Sequence, residues 1–535
     1  MEVSVIGSSC QAKICKRKVA YREQKFCCIP RGPNSVSFFD PTTRMMNSRL
    51  RFTLNAAAQT DPLRTDSVSG RGSARTSKSI DGVRLFVGLP LDVVSDCHTI
   101  NHARAIAVGL KALKLLGVEG VELPVWWGIA EKEAMGKYEW SGYLALAEMV
   151  QSAGLKLHVS LCFHASKQPK IPLPEWVSRI GESEPSIFYA DRSGQHCRGC
   201  LSLAVDDLPV LDGKTPVQVY QEFCESFKSS FSCFMGSTIT GITMGLGPDG
   251  ELRYPSHHQL AGSGKILGVG DFQCYDKNML NLLKQHAESS GNPLWGLGGP
   301  HDAPRYDQLP HSNNFFKDHF GSWESAYGNF FLLWYSSRLL LHGDRLLTLA
   351  SNAFSDTDLR VYGKVPLMHQ WYKTRSHASE LTAGFHNTVD RDGYQAVAEI
   401  FAKNSCKMIL PGMDLSDEHQ PQESFSSPEL LLEQIRAACR KHRVEVSGQN
   451  SSVSKTPHSF EQIKKNILGE NILDLFTYQR MGADFFSPEH FPSFTAFVRS
   501  LNQLELHSDD LPHEEEDVAE SQHQGSESSI QMQGV

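Results

Sequence analysis

Glu251, in the stretch G-P-D-G-E-L-R-Y-P, has the setting of a proton donor, and at Gln449, in S-G-Q-N, an amide stands where a second carboxylate would complete a pair. The chemistry of such a pair is glycoside hydrolysis. One carboxyl protonates the leaving oxygen and the other activates water or attacks the sugar directly. An amide oxygen accepts hydrogen bonds but has no useful basicity near neutral pH, so Gln449 cannot take a proton from an attacking water.

For residues this far apart to share a site, the chain must bring the ends of several elements together. Short apolar, β-branched runs recur at 85–89, 120–127, 156–164, 239–245, 365–371, 406–410, 444–448 and 473–478. Amphipathic stretches with helical spacing separate them, which predicts repeated βα units around a parallel sheet. Helices are predicted over 101–117, 143–155 and 276–289, and over a long aromatic-rich stretch at 327–353 whose rings belong to the core. Eight such units over about 400 residues predict an α/β fold, a closed (β/α)8 TIM barrel with long loop insertions at the C-terminal face. Trp126, His164, Glu251, His369, Gln449 and Arg480 then lie at or just beyond strand ends, where barrel enzymes place their chemistry.

Four motifs carry a resemblance: G-L-G-P-D-G-E-L-R-Y-P around Glu251, V-W-W-G at 125–128, H-A-S-E-L-T-A-G at 377–384, and F-T-Y-Q-R-M at 476–481. Over residues 83–497 the chain resembles the plant beta-amylases, the family 14 glycoside hydrolases, and within them a catalytically inactive plastid subgroup. Members of the family release maltose from the non-reducing ends of α-1,4-glucans with inversion. The resemblance implies that Glu251 matches the catalytic acid and that Gln449 replaces the base, which the family carries in G-E-N. It implies sugar contacts for His164, Lys364, His369, Asn450 and Arg480, and for Ser451 at a position usually held by alanine. Each also has a structural reading, with Arg480 paired to a buried carboxylate and His369 satisfying a backbone carbonyl.

Other departures from the family pattern point the same way. A sugar-binding aspartate of V-D-V-W-W is Pro124 here, and the threonine of F-T-C-x-E-M that contacts the base is Pro411. The glycine-rich lid H-x-C-G-G-N-x-G-D is shortened to the run His164 to Pro172, losing its glycines and its aspartate. Neither Asp249 nor Asp414 replaces the base: an inverting pair needs about 6.5–9.5 Å between carboxyls, Asp249 shares the loop of Glu251, and Asp414 matches an acidic position the family already has. The reading is a beta-amylase-like protein of starch metabolism without effective catalysis, binding α-1,4-glucan or a starch-degrading enzyme partner. The alternative is a slow but genuine maltose-releasing exo-hydrolase in which a water network stands in for the base.

The ends of the chain differ from its centre. Residues 1–80 hold 14 Lys+Arg against 5 Asp+Glu, a net of +9 in a chain whose total is −8. A basic, Ser-rich, acid-poor leader without a continuous apolar run resembles a plastid transit peptide, so residues 1–80 are expected to be a transit peptide and 81–505 the barrel. Residues 506–535 are acidic and polar, and are expected to form a disordered tail. The basic run Lys16-Arg17-Lys18 is followed by no zinc or helix-loop-helix pattern, so no nucleic-acid partner is expected. A flexible connection is expected over 449–457 and an exposed loop over 416–428. No stretch is long and apolar enough to span a bilayer.

The 13 cysteines lack the spacing of a disulfide scaffold, so reduced thiols are expected. Cys197-Arg198-Gly199-Cys200 is a single C-x-x-C, a weak redox signal without a thioredoxin-like context. With no second pair and no H-E-x-x-H, no metal and no organic cofactor are expected.

Overall fold

The computed structural model describes residues 83–257, 267–451, 457–468 and 473–502. The expected leader at 1–80, the expected tail at 506–535 and the centre of the 449–457 connection lie outside them. Eight parallel strands close into a barrel: β1 Arg84–Gly88, β2 Gly120–Trp126, β3 Lys156–Cys162, β4 Ile239–Met244, β5 Arg360–Lys364, β6 Lys407–Leu410, β7 Val446–Gln449 and β8 Leu475–Tyr478. They follow chain order around the barrel and β8 pairs with β1, so no edge strand is left open. One insertion, between β3 and β4, forms a small antiparallel hairpin of Phe188–Ala190 and His196–Leu201.

Seven of the eight expected strands match within a few residues at their ends; the fifth does not. The apolar run at 365–371 is a loop, and β5 is the preceding R-V-Y-G-K. Pro366 lacks the N–H that a ladder needs, whereas Gly363 looks unlike a strand residue yet is demanded by packing. A Cβ at Gly363 would lie 2.9 Å from both Leu246 and Phe401 side-chain atoms.

The helices follow their apolar stripes. Ala103–Leu116 buries Ile106, Leu110 and Leu113 and stops at Gly117, whose N–H caps the carbonyls of Leu113 and Lys114 with φ 97°. The long helix Ala326–Ala353 buries Phe331, Trp334, Tyr335, Leu339 and Leu346, so its aromatics are core, as expected. Tyr335 stacks on Tyr254 at 3.9 Å between centroids, and the Tyr254 hydroxyl donates to the Tyr335 carbonyl at 3.0 Å. That helix therefore braces the loop that follows β4.

At the opposite end of the barrel, Asp474 gathers cations from three strands. Lys407 approaches at 2.7 Å, Arg360 at 3.0 Å and Arg84 at 3.1 Å. Burial alone would raise this carboxyl, but the Lys407 hydrogen bond and the surrounding positive charge bring it down to about 2. The unfolded value is about 3.9, so the stabilisation is present above that pH and lost as pH falls through about 2. We predict that unfolding in denaturant loses about 2 kcal/mol through this window, and that Asp474→Asn removes that part of the pH dependence. An identical pH profile in the variant contradicts the assignment.

Candidate active site

Glu251 follows β4 on a tight turn whose backbone leaves little choice of sequence. Gly247 sits at φ 158°, and a Cβ there would lie 2.7 Å from the Glu251 carbonyl. The Leu246 N–H then bonds the Gly250 carbonyl, and the Leu252 N–H donates to the Lys364 carbonyl at 2.9 Å, tying the acid's loop to β5. Three further contacts fix the loop. The Tyr254 N–H bonds the Ala383 carbonyl at 3.0 Å, placing H-A-S-E-L-T-A-G as a structural brace. His342 links the Asp206 carboxylate at 2.7 Å to the Leu246 carbonyl at 3.0 Å. The third is the Tyr254–Tyr335 stack already described.

The Glu251 side chain is buried, and Arg253 Nε donates to its Oε2 at 2.8 Å. The same guanidinium binds Asp249, whose side chain is largely exposed. Burial holds the Glu251 carboxyl above its ordinary value; Arg253 and Lys364 oppose this, and Asp249 adds to it. A raised carboxyl is what a proton donor requires. Asp249 is thus bound to the flank of Glu251 by a shared arginine.

Gln449 ends β7, buried, with its carbonyl accepting from the Met413 N–H at 3.0 Å. This contact joins the loop after β6, which carries Pro411, to the position facing it. Asp414 is engaged by Ser451, whose N–H and Oγ reach its two carboxylate oxygens at 2.6 and 2.7 Å. Ser451 thereby holds the loop instead of lying free. Asn450 bonds the backbone of Gln479 in both directions, at 2.8 and 2.6 Å, and so fixes the segment that leads into Arg480.

Glu122 belongs to none of the sequence motifs above. It lies on β2 two residues before Pro124, on the same face of the strand, and is almost fully buried. Ser160 Oγ donates to Oε1 at 2.8 Å, Gln479 Nε2 to Oε2 at 3.0 Å, and Arg480 stands 3.7 Å away. Burial alone would raise its carboxyl, but Arg480 and Lys364, with the two hydrogen bonds, bring it below its ordinary value. Glu122 is therefore a fixed anion, and it is the buried carboxylate of the structural reading of Arg480. The only sequence signal was an acidic residue inside an apolar strand.

His164 lies just beyond β3, edge-on to Trp126 with centroids 5.2 Å apart, and its buried Nδ1 has no hydrogen-bond partner. Burial lowers its pKa to about 4, so the ring is neutral near pH 7. The shortened loop after it closes on itself through paired backbone bonds between Ser166 and Ile171 at 2.8 and 3.0 Å. His369 Nδ1 meets Ser426 Oγ at 2.7 Å, a hydroxyl and not the backbone carbonyl expected. Segment 416–428 is correspondingly not a simple exposed loop: Ser424, Ser426 and Ser427 are buried against the residues after β5.

Folding also gathers Glu418, His419 and His458, whose ligand atoms lie within 4.8 Å of one another. All three are exposed. Among the described residues no helix is long and apolar enough to cross a membrane.

The sequence model of glycosyl hydrolase family 14 matches residues 86–504. The chain belongs to this family. It is 59% identical to "Inactive beta-amylase 9" of Arabidopsis thaliana over 98% of both chains. It is 40% identical to "Beta-amylase 1, chloroplastic" of the same plant, covering 79% of this chain and 76% of that one. The catalytic domain of a beta-amylase from Paenibacillus polymyxa superposes with a TM-score of 0.66 at 25% identity, over 79% of this chain and 99% of that chain.

Within this family 14 barrel, the mouth's buried charges make a direct prediction. Glu122→Gln leaves half-buried Arg480 and Lys364 short of a counter-charge, and removing one partner of such a partly buried pair costs about 1–3 kcal/mol. Denaturant unfolding of the variant should show a loss of that size. A loss comparable to that of an exposed Glu→Gln control contradicts the role given to Glu122.

Proposed function

We propose that this protein is a beta-amylase-like barrel that holds α-1,4-glucan without hydrolysing it effectively, and that it modulates starch breakdown in the plastid. The observation that carries the reading is Gln449: a buried amide at the end of β7, where the family resemblance puts the base. A positioned base contributes about 10²–10⁴-fold, and Pro124, Pro411 and the closed loop after His164 remove further parts of the machinery. The names of the relatives agree in direction, since the one matched over 98% of the chain is called inactive. Lys364, His369 and Arg480 are the sugar contacts we assign, with His164 presenting a neutral ring beside Trp126.

The leader at 1–80 is assigned to plastid targeting, in line with relatives named chloroplastic, and the acidic residues 506–535 to a tail outside the barrel. A starch-degrading enzyme is the second partner we assign.

A slow hydrolase is the second reading, favoured by one observation: Glu251 keeps both its position and a raised carboxyl. Purified protein lacking the leader should release no reducing sugar from soluble starch while co-sedimenting with it. Gln449→Glu should restore little, because Pro124 and Pro411 remain. Robust maltose release by the unmodified protein, abolished by Glu251→Gln, establishes the second reading and overturns the first. Absence from the starch pellet removes the glucan-holding role.

A further inference from the structure

The Cys197-Arg198-Gly199-Cys200 stretch takes no part in the function proposed above, and the fold gives it an arrangement that its spacing did not reveal. It lies on the second strand of the small hairpin, where Tyr189 faces Cys197 and the adjacent Phe188 faces Leu201. Two neighbours on one strand thus span five residues on the other. The surplus residues bulge, and the two thiols come within hydrogen-bonding reach of each other. The two sulfurs are unequal: Cys200 is buried, while Cys197 is half-buried beside the exposed Arg198. A Cβ built on Gly199 would meet nothing within 4 Å, so the segment between the thiols is open to an approaching surface.

The pair also adjoins the site. The Gly199 carbonyl accepts from the Ala165 N–H at 2.7 Å, directly after His164. The Arg253 guanidinium that holds Glu251 is an electrostatic neighbour of both thiols.

We propose that Cys197 and Cys200 form a reversible dithiol–disulfide pair, exchanged with a disulfide-bearing partner, at the flank of the loop that carries His164. The Cys197 thiolate attacks the partner's disulfide and expels one partner thiolate, giving a mixed disulfide. Cys200, after losing its proton, attacks Cys197 Sγ and expels the second partner thiolate. Two electrons and two protons pass to the partner, which leaves as a dithiol. The asymmetry suits these roles. The Cys200 hydrogen bond, the Gly199 N–H, Lys167 and Arg253 outweigh burial and lower the Cys197 thiol to about 6, while Cys200 is raised. These groups do here what a helix N-terminus does elsewhere.

The test uses the full chain in graded mixtures of reduced and oxidised glutathione, quenched with N-ethylmaleimide and mapped by peptide mass spectrometry. The peptide holding both cysteines should pass from two alkyl groups to none as the mixture becomes oxidising, with the loss of two hydrogen atoms. Alkylation of both thiols in the most oxidising mixture overturns the proposal. As a second variant, Cys200→Ser cannot close the ring and should retain glutathione on Cys197 where the unmodified protein releases it. Equal retention by the two proteins also overturns it. Neither readout depends on glucan binding, so failure here and failure of the proposed function are distinguishable.

Discussion

Eight parallel strands closed into a barrel bring the charges at their C-terminal ends together, and those that are buried must be paired. This constraint governs the mouth. Arg253, Lys364 and Arg480 bring positive charge to it; Arg253 is buried and the other two are half-buried, so it is Arg253 whose loss of partners would cost several kcal/mol. In this chain Gln449 and Pro124 carry no charge. Glu122 supplies a buried carboxylate shared electrostatically by Arg480 and Lys364, and Asp249 shares Arg253 with Glu251. The negative charge of the mouth thus stands where it neutralises these cations, in Glu122, Asp249 and Glu251.

The same network holds Glu251 in place. Glu251 stands on a loop held by β5 through Leu252, by the long helix through Tyr254, by the Ala383 carbonyl, and by the His342 bridge to Asp206. Its carboxylate also satisfies Arg253, which is itself buried. Removing Glu251 would leave buried Arg253 with only the largely exposed Asp249, whereas the Gln449 carbonyl makes its contact with Met413 through the backbone, which is indifferent to the side chain. Glu251 therefore has a structural role independent of catalysis.

Much of this was legible in the chain, for identifiable reasons. Short apolar, β-branched runs alternating with helical stripes announce the barrel. β5 was misplaced because Gly363 and the polar ends of R-V-Y-G-K hide a strand that tertiary packing demands, while the apolar run after it contains Pro366. Glu122 escaped because a carboxylate in a strand acquires meaning only when its neighbours across the barrel are known, and those neighbours are separated from it by 38 to 358 residues. The closeness of Cys197 and Cys200 depends on a bulge set by the facing strand. Asn450 and Ser451, singled out as sugar contacts, are engaged by Gln479 and Asp414, a loop-fixing role that residue matching could not display.

The central claim is that a neutral amide at Gln449 leaves the glycosidic bond intact even with the acid in place. A single-turnover experiment tests it most directly: maltopentaose is incubated with an excess of purified protein, and chain length is followed by mass spectrometry. Because the protein exceeds the sugar, slow turnover and product inhibition do not mask a cleavage event. The account predicts that maltopentaose persists at full length over hours. Its conversion to maltose and maltotriose on that timescale, lost in Glu251→Gln, contradicts it.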